Sequence, residues 1–229
     1  MKLILGGAQI ADIYGISNKK KGINKNDLAK IFEYKNKIKY IDTANSYKNS
    51  LETISKYNRK YKLIINLKIN IGKKFNFQKN FFSRVKKSLL KLKSKKINSI
   101  MIHDTKNYLK LNKERKKFIL NGLEKLKIQK IIKKYGFSIY TEKELNELIK
   151  LKKFDIIQFP GNIFDQSILN NKNIYFLKKR GIELHARSIF LQGLIFLKFD
   201  KTKKVTGVYS KKLKKFYDNF KTKEQKIFH

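Results

Sequence analysis

Residues 39–44 read Lys39-Tyr-Ile-Asp-Thr-Ala44, a short strand-forming run that carries the carboxylate of Asp42 and leads directly to Tyr47. Two later runs repeat the design. Leu63-Ile-Ile-Asn-Leu-Lys68 ends on an ammonium, and Ser99-Ile-Met-Ile-His103 ends on an imidazole. Each run is followed by residues at helical spacing, the alternation expected of parallel strands joined by crossover helices. Barrel enzymes keep their chemistry on polar groups at the C-terminal ends of such strands. Three successive strands would therefore deliver Asp42, Tyr47, Lys68 and His103 to one point.

Working outward, seven strand candidates follow in order: 3–8, 39–44, 62–69, 99–104, 135–140, 155–160 and 182–188. Helical patterns lie between them, marked by Leu28, Ile31 and Phe32, by Leu51, Ile54 and Tyr57, and by Phe81, Val85, Leu89 and Leu92. Phe118, Gly122, Leu123 and Leu126 mark a fourth. Thr141-Glu-Lys-Glu144 is a capping box that opens the fifth, ahead of Leu145, Leu148 and Ile149. Leu169, Tyr175 and Leu177 suggest a sixth, and Leu213, Phe216, Tyr217 and Phe220 have the spacing of a helix packed on a core. The expected fold is α/β, a TIM (β/α)8-type barrel lacking the eighth strand and helix unit, with residues 1–229 as a single domain. An open doubly wound sheet is the competing architecture, but Leu5-Gly-Gly-Ala8 lacks the glycine spacing of a dinucleotide fingerprint.

The 229 residues include no Cys, which excludes disulfides and thiolate metal sites and suits a reducing cytoplasm. Gly6, Gly7 and Gln9 interrupt the opening Met-Lys-Leu-Ile-Leu run well short of a signal peptide, and no run reaches membrane-spanning length. The expectation is a cytoplasmic protein without membrane insertion. A formal charge of +39 invites a nucleic-acid reading. Against it, only 5 of the 56 basic residues are Arg, the better fork for phosphates and bases. The lysines are spread along the polar sides of helices, as solvated faces are. No specific nucleic-acid partner is expected, and the oligomeric state is left open.

The four polar residues match what carbonyl reduction needs. A Tyr hydroxyl, with an ordinary pKa of about 10, needs help to act as an acid or base near neutrality. A neighbouring ammonium stabilises its phenolate. A carboxylate such as Asp42 holds that ammonium charged and in place. A His beside the carbonyl oxygen donates a hydrogen bond where charge develops. Tyr47, Lys68, Asp42 and His103 fit these roles.

At this point the chain resembles the aldo/keto reductase family. The resemblance is carried by Leu5-Gly-Gly-Ala-Gln9 with Tyr14-Gly15, by Ile41-Asp-Thr-Ala44 with Tyr47, and by Lys68. It continues through Met101-Ile-His-Asp104, Tyr135-Gly-Phe-Ser138, Ile156-Ile-Gln-Phe-Pro160 with Asn162, and Ala186-Arg-Ser188 with Leu191-Gln-Gly193. It implies a catalytic tetrad of Asp42, Tyr47, Lys68 and His103, and nicotinamide contacts from Ser138, Gln158 and Ser188. Gly6 and Gly7 match the family's first-strand turn toward the cofactor. The implied cofactor is NADPH or NADH, with no metal, and the implied partner is a small-molecule carbonyl substrate: an aldehyde, a ketone or a sugar-like carbonyl.

Several positions depart from that pattern. Lys48 stands where the family usually has Gly, and Glu52 is displaced by one position. Ile139 replaces a common Asn, and Arg187 stands where an aromatic residue often covers the nicotinamide face. No segment before His229 matches the family's eighth strand with its adenosine-binding loop, so the chain reads as a C-terminally shortened member or a fragment. Two other readings compete with the enzyme: a non-catalytic barrel remnant, and a basic protein that associates with RNA or anionic surfaces. His185 reads as a packing residue among apolar neighbours. Asp104 could orient His103 or cap the next helix, and Gly136 reads as relief of crowding at a strand.

Overall fold

The computed structural model describes residues 2–10, 14–15, 23–33, 38–72, 77–151, 153–196 and 214. Seven strands alternate with helices: β1 (Ile4–Gly6), β2 (Tyr40–Ala44), β3 (Ile64–Ile69), β4 (Ile97–Ile102), β5 (Ile132–Ser138), β6 (Ile156–Pro160) and β7 (Glu183–Arg187). The helices are α1 (Lys25–Glu33), α2 (Ser50–Tyr61), α3 (Phe77–Lys91), α4 (Thr105–Leu109), α5 (Lys113–Ile128), α6 (Glu142–Leu148) and α7 (Lys172–Lys179). Every strand pair is parallel, and spatial order follows chain order from β1 to β7.

The sheet is curled rather than flat. In a flat sheet β3 and β6 would stand about 14 Å apart, at about 4.8 Å per strand. Yet the Lys68 Nζ on β3 lies 3.1 Å from Gln158 Oε1 on β6. Likewise Lys134 on β5 and Glu183 on β7 form an ion pair across β6. This is the curvature of a TIM-type barrel wall. A doubly wound sheet is excluded by the sequential strand order. Among the described residues there is no eighth strand, and β1 and β7 are the two edges.

Strand alternation explains the two faces. On β3, Ile65, Leu67 and Ile69 join Phe81 and Val85 of α3 in the apolar core, while Asn66 and Lys68 take the other face. The register carries a polar inner row from Asp42 to Asn66, Ser99 and Lys134. The main core therefore lies outside the sheet, between strands and helices, and includes Ile41, Leu67, Ile100, Phe137 and Phe159. Burial of that much apolar surface is the dominant stabilising term.

Local signals behave as chemistry dictates. Thr141 Oγ1 accepts from the Glu144 N–H at 3.3 Å, and the Glu144 carboxylate accepts from the Thr141 N–H at 3.2 Å, closing the expected capping box. β5 begins earlier than the expected 135–140, because Lys133 and Lys134 look like linker while Lys134 is in fact neutralised by Glu183. β4 likewise begins at Ile97 rather than 99. α7 begins at Lys172, after the Asn171 cap, which leaves Leu169 in the preceding turn. The expected helix through Leu213, Phe216, Tyr217 and Phe220 lies outside the described residues.

Gly136 has a geometric necessity behind it. It pairs with Ile156 in the β5–β6 register, and a Cβ there would fall 1.8 Å from the Ile156 carbonyl oxygen. That neighbour is strand backbone and has no alternative rotamer. Gly136→Ala is expected to destabilise the protein by about 1–3 kcal/mol, as overpacking does. Urea unfolding at an unchanged midpoint would contradict this.

Candidate active site

Three hydrogen bonds bring the C-terminal ends of the strands together. The Asn45 N–H donates to the Lys68 carbonyl at 3.0 Å, fixing the loop after β2 to β3. The Tyr47 N–H donates to the Ala44 carbonyl at 3.1 Å, so Tyr47 rides on a tight turn directly above β2. The His103 N–H donates to the Ile69 carbonyl at 3.0 Å, extending the β3–β4 ladder by one residue. Ser50 secures the start of α2: its hydroxyl donates to the Gly7 carbonyl at 2.9 Å, and the Gly7 N–H donates to the Asp42 carbonyl at 2.7 Å. A Cβ on Gly7 would lie 2.7 Å from that same Asp42 oxygen, which is why glycine stands there.

Within this frame the four residues singled out in the sequence converge. Lys68 Nζ donates to Asp42 Oδ2 at 2.6 Å, and Lys68 is only 3 % exposed. The same ammonium lies 5.4 Å from the Tyr47 ring centroid. The Tyr47 and His103 rings meet edge to face, with centroids 5.9 Å apart and planes at 88°. Tyr14 contributes a second ring, 6.4 Å from that of Tyr47.

The protonation states follow from burial and from Lys68. Burial alone would push the Lys68 ammonium down, but Asp42 and Tyr47 outweigh it and hold the pKa above its ordinary value. Burial lifts the Tyr47 phenol, and the pull of Lys68 in the other direction is weaker. Tyr47 is therefore a protonated phenol at neutral pH. Burial, then the charges of Lys68 and Arg187, push His103 down to about 3, so the imidazole is neutral. Its Nδ1 is buried with no hydrogen-bond partner among the described residues.

Of the residues expected to hold a nicotinamide, Ser138, the last residue of β5, and Gln158, in the middle of β6, are register partners. Their side chains are 3.4 Å apart at Oγ and Oε1, and both residues are buried. An ammonium only donates, so Gln158 must turn Oε1 toward Lys68, which leaves its NH2 for another acceptor. A hydroxyl beside an amide NH2 is the donor and acceptor set that a primary carboxamide requires, so these residues fit the nicotinamide group. Gly6 ends β1 with open space where a Cβ would stand. Ser188 begins the turn after β7 in left-handed backbone, with φ of 58°. It is not in hydrogen-bond contact with Ser138 or Gln158.

Other expectations need correction. Lys48 keeps a negative φ, so its position makes no demand for glycine. Glu52 lies away from the site and pairs with Lys91 at 2.8 Å. Asp104 neither orients His103 nor caps α4 with its side chain: its carboxylate accepts from the Ile71 N–H at 2.7 Å and from the Asn107 amide at 3.2 Å. His185 is largely buried, and its Nε2 lies 3.4 Å from the Glu183 carboxylate two residues back on the same strand. Ser50 and Thr105 are supports that the sequence reading did not single out. Thr105 donates to the Ser138 carbonyl at 2.9 Å. Both contacts span more than 30 residues, and no local pattern announces them.

The curled parallel wall and the polar groups at its C-terminal rim define an enzyme-type barrel. The family model described as the aldo/keto reductase family matches residues 2–227. This chain belongs to the aldo/keto reductase family, a class of NAD(P)-dependent oxidoreductases. Its structure is similar to that of the PA4992 protein of Pseudomonas aeruginosa, at 20 % identity and a TM-score of 0.63, over 79 % of this chain and 70 % of that one. It is also similar to the holo form of the aldo-keto reductase AKR11C1 of Bacillus halodurans, at 19 % identity and a TM-score of 0.64, over 85 % and 64 % of the two chains. A third similar structure is the Bombyx mori aldo-keto reductase AKR2E4 in complex with NADP, at 17 % identity and a TM-score of 0.59, over 81 % and 62 %. No curated protein matches the sequence.

The Lys68–Asp42 pair is buried, so breaking it from one side leaves an uncompensated charge. Asp42→Asn is expected to cost about 3–5 kcal/mol of folding stability. The Asp42→Asn, Lys68→Met double variant is expected to recover most of that loss. Denaturant unfolding of all four proteins in the cycle checks this, and simple additivity of the two single variants would refute it.

Proposed function

We propose that this chain reduces an aldehyde, ketone or sugar-like carbonyl, with NADPH or NADH as hydride donor and Tyr47 as proton donor. The observation that carries the reading is the Lys68 ammonium, paired with Asp42 at 2.6 Å and lying 5.4 Å from the Tyr47 ring. Ser138 and Gln158 would hold the nicotinamide, which when bound would supply a hydride to the carbonyl carbon. Ser188 is assigned to the nicotinamide with them, and Gly6 and Gly7 to the first-strand turn that approaches the cofactor.

As the carbon–oxygen double bond opens, negative charge builds on oxygen, and the Tyr47 hydroxyl gives up its proton there to leave an alcohol. The resulting phenolate lies against a charged Lys68, which burial makes a stronger partner than it would be in water. Asp42 keeps Lys68 in position and charged throughout. Neutral His103 has no acceptor for a proton on Nδ1 among the described residues, so its N–H belongs on Nε2. From there it donates to the carbonyl oxygen and orients the substrate. Among the described residues no helix is long and apolar enough to cross a membrane. The cysteine-free composition suits a cytoplasmic setting.

Tyr47→Phe is expected to lower the reduction rate by about 100-fold or more, the size of a general-acid contribution. NADPH affinity, read by fluorescence titration, should change little, because only the hydroxyl is lost. Parent-like reduction by Tyr47→Phe would sink the assignment.

The pH dependence follows with its sign. His103, with a pKa near 3, is neutral above that value, and Tyr47, raised above 10.0, is protonated below it. Both donors are thus in the working form between these limits. kcat/KM for reduction should be flat from about pH 5 to about pH 9. A rate that rises or falls tenfold near pH 6–7 would place a titrating His in the mechanism instead.

A further inference from the structure

The charges at the mouth of the barrel do not cancel. Lys68 is neutralised by Asp42, His103 is neutral and Tyr47 is a phenol. Arg187 is left over among the described residues. It ends β7, and the β6–β7 register pairs Gln158 with His185 and Pro160 with Arg187. Arg187 thus stands one inward-facing step beyond the level of Gln158, which holds Lys68.

Its guanidinium is fixed in place. The carbon centre lies 4.1 Å from the Tyr140 ring centroid, and one terminal nitrogen donates to the Ile139 carbonyl at 3.0 Å. The other terminal nitrogen makes a long contact of 3.5 Å to Ser188 Oγ. No described Asp or Glu pairs with it. A guanidinium carries five N–H donors, so most of this fork is without a partner among the described residues. Tyr140 lies against it, and on the loops that follow β5, β6 and β7 Tyr140, Ile163, Ile189 and Phe190 are each more than half exposed. A preorganised cation without a counter-ion among the described residues, beside exposed apolar loop residues, is built to receive an anion attached to an apolar body.

We propose that Arg187 binds a carboxylate or phosphate carried by the carbonyl substrate and makes the site selective for anionic aldehydes and ketones with an apolar body. The proposal rests on the carbonyl-reductase reading and adds the substrate class to it. Arg187 contacts the non-reacting end of the substrate and leaves proton delivery to Tyr47. Placing the anion on Arg187 brings the site near neutrality, whereas an uncharged substrate leaves a partly desolvated cation unpaired.

The test compares 4-carboxybenzaldehyde and 4-formylphenyl phosphate with benzaldehyde, using the full chain and NADPH. The expected result is a kcat/KM at least about tenfold higher for one of the anionic aldehydes, the better one telling carboxylate from phosphate. That preference should shrink with added salt, disappear in Arg187→Met and return in part in Arg187→Lys. Equal kcat/KM for all three aldehydes in the parent protein overturns the proposal, with no variant needed. So does an unchanged preference in a folded Arg187→Met. A shift in the ratio of NADPH to NADP+ affinity, with the aldehyde preference intact, also overturns it and seats the guanidinium against the nicotinamide. If no aldehyde is reduced, the carbonyl-reductase reading fails. Calorimetry with 4-(hydroxymethyl)benzoate and benzyl alcohol then decides the anion site separately: tighter binding of the benzoate, lost in Arg187→Met, supports it, and equal binding removes it.

Discussion

A charged lysine that is almost wholly out of water is the constraint on which the rest of this site depends. Lys68 sits at the end of β3, where the curl of the sheet points it into the barrel. Burial of an ammonium is costly, and it is tolerated only with close partners. Asp42 supplies the counter-charge from the neighbouring strand and Gln158 a neutral acceptor from across the barrel. Because both partners lie on other strands, the charge is compensated only when β2, β3 and β6 are in register. Correct assembly of the wall and correct protonation of the site are therefore one event. The same ammonium helps to keep His103 neutral and opposes the rise of the Tyr47 pKa. One buried charge thus acts, alongside burial, on two neighbouring titratable groups.

The inner face of the sheet is unusually polar in consequence. Asp42, Asn66, Ser99 and Lys134 follow one another across four strands, and Met101 and Ile156 provide only part of an apolar filling. Cohesion must then come from the outer face, where Leu67, Ile100 and Phe137 are shielded by the helices. Strands buried on both faces are expected to read as continuous apolar runs. These strands alternate instead, because one of their two buried faces is a polar interior.

That alternation also explains what could be read from the sequence. The Lys39–Ala44, Leu63–Lys68 and Ser99–His103 runs show the outer apolar face and the terminal polar group together, so the strands, their order and the convergence of those polar groups are legible there. β5 was misplaced at its start because Lys133 and Lys134 carry no sign that one of them will be neutralised by Glu183, 49 residues further on. Ser50 and Thr105 hold backbone carbonyls of distant strands, and such contacts leave no periodic trace. Asp104 looked like a partner of His103 because the two are adjacent, but consecutive residues on a strand end point to opposite faces. Its carboxylate ties down the loop after β3 instead.

Charge acts on two scales in this molecule. The formal +39 is spread over lysines along the chain, a diffuse potential that gathers anions of every kind and weakens with salt. It has little power to choose among them, because a solvated ammonium on a long stem gains almost as much from one anion as from another. At the barrel mouth the arrangement is different. The Lys68 charge is closed off by Asp42, so it acts on Tyr47 and His103 rather than on incoming ions. The guanidinium of Arg187, unpaired there among the described residues, is held by an aromatic face and a carbonyl and so has little freedom to lose on contact. The lysine surface can raise the local concentration of any anionic ligand. Discrimination among those ligands requires the fixed and partly desolvated charge on β7.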